Sequence, residues 1–220
     1  MNKTQVAMKP IVMTILAAAF LIGYSRAAPP AGLEKPTQAS PAATEKYIVD
    51  VTHSAALFQV RHFGVSFVSG RFTDISGTID VDRENLSNSS VEIVIRTASV
   101  NTDHAERDEH LRNPDFFDVQ KYPTMRFKSS KIKKITDTAG EVTGSFTLHG
   151  VTRTITMNVT FLGEFDVPWG QHRAGFETSF TIQRSDYGMN KLLGPAGDKI
   201  QVTLFIEAMR LDEAEKKAVD

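Results

Sequence analysis

Apolar and polar residues alternate with a period of two along most of this chain. In the stretch before the C-terminus, Ile200, Val202, Leu204, Ile206 and Ala208 occupy one set of positions, and Gln201, Thr203, Phe205 and Glu207 the other. A helix would group residues three and four apart. Strict alternation instead sends neighbours to opposite faces of a half-buried strand. Ala174, Phe176, Thr178, Phe180 and Ile182 repeat the pattern, as do Ile155, Met157, Val159 and Phe161, then Val142, Gly144, Phe146 and Leu148, then Val91, Ile93 and Ile95. Between Tyr47 and Leu211 this predicts about eight strands with short connections, which favour antiparallel neighbours.

Turn residues fall between the runs. His149-Gly150 separates Leu148 from Val151 and reads as a tight hairpin turn, with glycine supplying positive φ. Gly64, Gly70 and Gly77 read as bends or bulges at barrel corners. One segment, Asn101 to Pro114, lacks the alternation. Asp103 reads as its helix cap with Glu106 three residues on, and Pro114 ends it, so one short helix is inserted among the strands.

A run of antiparallel strands must hide its edges, and closure into a barrel removes them. The predicted fold is therefore all-β: an antiparallel, up-and-down, eight-stranded barrel with one short inserted helix. A barrel of about eight strands is either filled by side chains or able to hold one small ligand. Periodicity reports burial, not emptiness, so a filled core remains the simpler account of the pattern alone. The candidate wall is built from large apolar residues on inferred inward faces: Phe58, Val60, Phe67, Phe127 and Phe146, together with Met157, Phe161, Phe176, Phe180 and Leu204. Phenylalanine offers no hydrogen-bonding group, so such a wall suits a hydrocarbon guest.

Composition narrows the classes. The chain has no cysteine, which excludes disulfides, thiolate metal sites and a cysteine nucleophile. A net charge of −1 argues against nucleic-acid binding, which needs concentrated Lys and Arg. At the N-terminus Lys3 and Lys9 precede an uncharged stretch of 14 residues, Ile11 to Tyr24, and Ser25-Arg26-Ala27 fits a cleavage site. This is the layout of a secretory signal peptide over residues 1–27, and it implies a periplasmic or secreted protein. Its removal takes three basic residues and brings the net charge to −4. Residues 28–46, rich in Ala, Pro, Thr and Ser, read as a flexible linker, residues 47–211 as the barrel and residues 212–220 as a charged tail.

Several short runs are more specific than the period. They include Gly70-Arg71-Phe72, Arg107-Asp108-Glu109-His110-Leu111-Arg112, Asp115-Phe116-Phe117-Asp118, Tyr122-Pro123, Phe127-Lys128-Ser129, Phe146-Thr147-Leu148-His149-Gly150-Val151-Thr152 and Arg184-Ser185-Asp186-Tyr187-Gly188-Met189. In this order, over about Tyr47 to Glu207, they resemble the YceI-like family of lipid- or polyisoprenoid-binding proteins. The resemblance implies a lipocalin-like barrel that holds a long isoprenoid or similar lipid in its interior, and a link to the periplasm and to stress responses.

Arg107, His110 and Arg112 form the densest charged group with Asp108, and two readings stay open for them. One is a polar mouth that meets a lipid headgroup through arginine–oxygen pairs. The other is a solvated helix face with local pairs. No metal or cofactor is implied, since the six histidines show no metal-ligand spacing. Nucleophile-elbow, phosphate-loop and dinucleotide patterns are missing, so a binding protein rather than an enzyme is expected. The alternative is a periplasmic hydrolase or isomerase using the same apolar pocket. Phe205 on an outward position is compatible with a homodimer, and a lipid cargo with transient membrane contact.

Overall fold

The computed structural model describes residues 44–211. The expected signal peptide, nearly all of the linker and the charged tail lie outside the described residues. The elements are β1 (Glu45–Val49), β2 (Ala55–His62), β3 (Ser66–Phe72), β4 (Ile75–Val81), β5 (Ser90–Arg96), β6 (Val100–Asn101), α1 (Ala105–Arg112), β7 (Thr124–Lys134), β8 (Ala139–Leu148), β9 (Val151–Asp166), β10 (His172–Gln183) and β11 (Ala196–Arg210). Short 3₁₀ turns cover Leu86–Asn88, Thr97–Ser99 and Arg184–Tyr187.

All pairings are antiparallel, and the sheet closes because β1 pairs with both β4 and β11. Three of its staves are broken. β1 and β2 both lie against β11, β3 and β4 form the next stave, and β5 and β6 the one after that. Counted this way the barrel has eight staves, each hydrogen-bonded to its neighbour in sequence, with the last paired back to the first. The up-and-down order follows from the short turns. His149 and Gly150 both take positive φ, 51° and 76°, the geometry of a two-residue hairpin turn.

Two local expectations change. Gly70 and Gly77 lie within strands, and the register shifts fall elsewhere, in β7 after Ser129, in β9 opposite Gly175 and Phe176, and in β11 after Ala196. The helix cap is His104 rather than Asp103: the Arg107 N–H donates to His104 Nδ1 at 3.3 Å, while Asp103 sits at φ 58°. Asp108, buried at 7% exposure, explains why the chain turns here. Its carboxylate accepts from the Thr102 N–H at 2.9 Å and from the Thr102 hydroxyl, which ties the first half of α1 back to the end of β6.

The two barrel ends differ. One receives the turns 63–65 and 149–150, helix α1 and the Arg184–Tyr187 turn. The other receives the loops 82–89, 135–138 and 167–171 and both termini of the barrel. The first is plugged. Phe116 and Phe117 fold in behind α1, and Tyr187 and Met189 are buried beside them in the main apolar cluster.

Candidate functional site

Residues spaced by two on each stave turn inward, and their side chains do not meet along the axis. They enclose a cavity of about 930 Å³. That is near the top of the range of about 300–1,000 Å³ usual for ligand pockets. The filled-core reading is therefore replaced by a hollow barrel.

Of the wall expected from sequence, Phe58 and Val60 on β2, Phe127 on β7 and Phe146 on β8 line the cavity. So do Met157 and Phe161 on β9, Phe176 and Phe180 on β10, and Leu204 on β11. Phe67 is the exception. It pairs with Arg61 across the β2–β3 hairpin on the outer face, is 50% exposed, and lies under the Arg61 guanidinium 4.9 Å away. The inward positions of β3 are Val68, Gly70 and Phe72, because these pair with Val60, Phe58 and Ala56. Further lining residues, among them Ile93, Ile95, Ile155 and Val202, belong to inward faces that the alternation already marked.

The charged group on α1 is not part of this wall. Arg107 donates from Nε to the Thr102 hydroxyl at 2.7 Å and from Nη2 to the Thr102 carbonyl at 2.8 Å. Arg112 donates to the carbonyls of Ala98 and Val100, both at 2.9 Å. His110 Nε2 lies 3.1 Å from Asp115. Arg112 spends its planar fork on two backbone carbonyls and Arg107 on the hydroxyl and carbonyl of Thr102, so both clamp α1 to the chain beside β6 at the plugged end. The headgroup role expected for Arg107, His110 and Arg112 finds no support in this placement, since none of the three lines the cavity.

The residue that closes the floor is Arg184, 4% exposed. Its guanidinium donates to the carbonyls of Gly197 at 3.1 Å, Met189 at 2.6 Å and Ala196 at 2.6 Å and faces the Phe116 ring at 5.8 Å. Burial lowers its pKa from the usual value. Next to it Ser185 donates from Oγ to Asp198 at 2.7 Å, a bond that points the hydroxyl proton at an acid.

The opposite end is the mouth, bordered by the 82–89 loop and by Lys131 to Gly140. Arg83 reaches over it: Nη2 donates to Glu164 at 2.6 Å, and Nε to Glu45 at 2.8 Å. Tyr47 joins beneath, its hydroxyl donating to Glu45 at 2.8 Å and accepting from Arg83 at 3.1 Å. Burial, reinforced by the Glu45 carboxylate, pushes the Tyr47 hydroxyl up to about 12. The Arg83 hydrogen bond holds Glu164 below the usual carboxylate range against the opposing effect of burial. None of these rim residues carried a signal in sequence, since each gains its partner only when the barrel closes.

Three groups able to ligate a metal, Asp50, His53 and Glu207, gather with ligand atoms within 4.8 Å of one another. A guanidinium occupies that cluster: Arg173 Nη1 donates to Asp50 at 2.7 Å and to Glu207. The cluster is an ion-pair lock on the outside of the barrel.

Fold and cavity together define a closed antiparallel barrel with an apolar interior compartment. The chain belongs to the YceI-like domain family, whose model matches residues 47–208. It is 42% identical over 158 residues to the UPF0312 protein PA0423 of Pseudomonas aeruginosa, covering 72% of this chain and 82% of that one. The crystal structure of the Campylobacter jejuni YceI protein superposes with a TM-score of 0.61 at 32% identity, over 69% of this chain and 90% of that one. A polyisoprenoid-binding domain from Saccharophagus degradans shares the fold at a TM-score of 0.58 and 19% identity, over 75% of this chain and 98% of that one.

Proposed function

We propose that this protein binds a polyisoprenoid or similar long-chain lipid inside the barrel and sequesters or transports it, outside the cytoplasm in the periplasm or in secreted form. The observation that carries the reading is the apolar compartment itself, about 930 Å³ walled by Phe, Ile, Val, Leu and Met. Each CH₂ moved from water into such a site gains about 0.8 kcal/mol. A long chain summed this way would pass the practical affinity limit of about −20 kcal/mol, so ordering and desolvation must offset much of it. A preformed wall of ordered strands keeps those costs down. The polyisoprenoid-binding relative in fold and the N-terminal export pattern support the same reading.

A hydrolase or isomerase would need an acid and a base converging on the pocket. Among the described residues no histidine lines the cavity; the acids and bases in its lining include Arg83, Glu84, Glu164 and the lysines of β7 around the mouth, and Arg184, which is spent on backbone carbonyls at the floor.

The test is native extraction of the mature protein followed by mass spectrometry. A stoichiometric long-chain lipid is the expected outcome. Finding no lipid, even after incubation with isoprenoid-loaded vesicles, would remove the proposal.

A further inference from the structure

The mouth carries a second feature that the interior cavity does not use. Ile135, Leu162, Phe165 and Trp169 are 51%, 58%, 67% and 72% exposed. Topology brings them to one end. Ala139 at the start of β8 pairs with Thr160 and the Phe161 N–H still donates to the Thr138 carbonyl at 2.8 Å, so β9 from Leu162 to Asp166 runs on beyond β8 with its backbone paired to β10. Leu162 is the extra residue of the bulge in that extension, Phe165 points outward near its end, and Trp169 sits in the turn that follows. Ile135 heads the neighbouring β7–β8 turn. None of the four lines the cavity.

Lysines flank them. β7 ends in Lys131, Ile132, Lys133 and Lys134. Lys134 pairs with Asp137 at 2.7 Å, while Lys131 and Lys133 make no ion pair among the described residues. Three rim acids already have partners: Asp137 in Lys134, Glu164 in Arg83 and Asp166 in His172. Glu84, and Glu141 across from Lys133, lack an ion pair, so the rim is mixed in charge and its apolar side chains act first.

We propose that this rim is a docking surface for a phospholipid bilayer bearing anionic headgroups. Trp169, Phe165, Leu162 and Ile135 enter the boundary between headgroups and acyl chains, where amphipathic aromatics partition best. Lys131 and Lys133 meet phosphate oxygens. The attachment is superficial, because the outer face of the barrel nearby is made of Thr143, Ser145, Thr154 and Thr156 and suits water. The proposal rests on the lipid-carrier reading and deepens it, since docking here sets the open mouth against a lipid source. A second apolar group, Phe63, Val65, Leu192 and Leu193, stands at the plugged end and leads to no opening.

Trp169 is the sole tryptophan of the chain and reports on the rim directly. The protein without residues 1–27, whose barrel closes entirely within Glu45–Arg210, is mixed with phosphatidylethanolamine–phosphatidylglycerol vesicles. The expected result is a shift of tryptophan emission to shorter wavelength, protection from iodide and co-flotation with the vesicles. A double variant, Leu162→Ser with Phe165→Ser, lowers the vesicle-bound fraction about tenfold. Lys131→Glu with Lys133→Glu does so by about tenfold or more, with the remainder insensitive to salt. Phe63→Ser with Val65→Ser at the plugged end binds like the wild type. Unshifted emission with no flotation overturns the proposal, as do rim variants that bind like wild type or binding lost only in the plugged-end variant. The two readings fail separately. Docking without extractable lipid sinks carriage alone, and extractable lipid without docking sinks the rim alone.

Discussion

Phe146 faces inward from β8 with its ring 5.6 Å from Tyr187 and 6.3 Å from Phe180, both at steep angles. It can lie there because the same strand carries Gly144, where an added Cβ would come within 2.3 Å of the Lys128 carbonyl and 2.6 Å of the Phe127 ring. Phe127 thus covers the glycine, and the wall stays smooth. Phe146→Asp places a carboxylate in apolar surroundings, a change that costs several kcal/mol unless the site takes in water. Retained lipid is expected to drop at least about tenfold. Phe146→Ala, which enlarges the cavity without polarity, keeps the lipid. Circular dichroism of both variants separates loss of binding from loss of fold, and unchanged retention in a folded Phe146→Asp protein would remove this residue from the binding wall. Phe67 shows where residue-level reading fails. Phe67 shares its face with Ser69 and Arg71, whereas Val68, Gly70 and Phe72 share the other, so the strand's own alternation argued against an inward Phe67, and the pairing with β2 bears that out.

At the scale of elements, the breaks in the staves are what the period of two did not reveal. Between β1 and β2 the chain leaves the ladder at Asp50, which is 7% exposed. Burial alone would raise its pKa. Hydrogen bonds from Thr52, His53 and Arg173 outweigh that and hold the carboxyl well below the usual carboxylate range. A group depressed in this way contributes stability that is fully present above its unfolded-state pKa of about 3.9 and is lost as the pH falls through its folded value. Asp50→Asn is expected to cost about 3 kcal/mol near neutral pH, because Arg173 loses a buried partner. In urea denaturation the gap between wild type and variant should close as the solution is acidified below about pH 4. A gap that persists unchanged down the acid limb would show that shape, not charge, holds the break. The helix teaches the same lesson. Its position after Asn101 and its end before Pro114 follow from local sequence. The use of Arg107 and Arg112 does not, because the carbonyls they hold belong to residues in and beside β6.

For the whole molecule, closure and hollowness have a joint consequence. The wall residues contact one another around the circumference but not along the axis, so an apolar guest supplies contacts that the protein lacks by itself. A ligand that binds only the folded state adds about 2.7 kcal/mol of stability at a hundred times its Kd. For a domain of this size that corresponds to a rise in Tm of about 5–10 °C. Calorimetry of delipidated and reloaded protein should show it, and in Phe146→Asp the increment should fall to about half or less. Equal melting temperatures in the wild type would mean that the lipid is not held by the native barrel.

By itself the sequence determined the strands, their inward faces, the hairpin at His149-Gly150 and the family, because each of these depends on residues close together in the chain. Only the tertiary structure decided that the barrel is hollow, that Phe116, Phe117 and Arg184 close one end, and that the other opens between Arg83, Glu164 and the lysines of β7. Those outcomes depend on how side chains from eight staves, distant in sequence, add up around a common axis. Alternation reports which way a residue points but not whether the residues opposite are long enough to meet it.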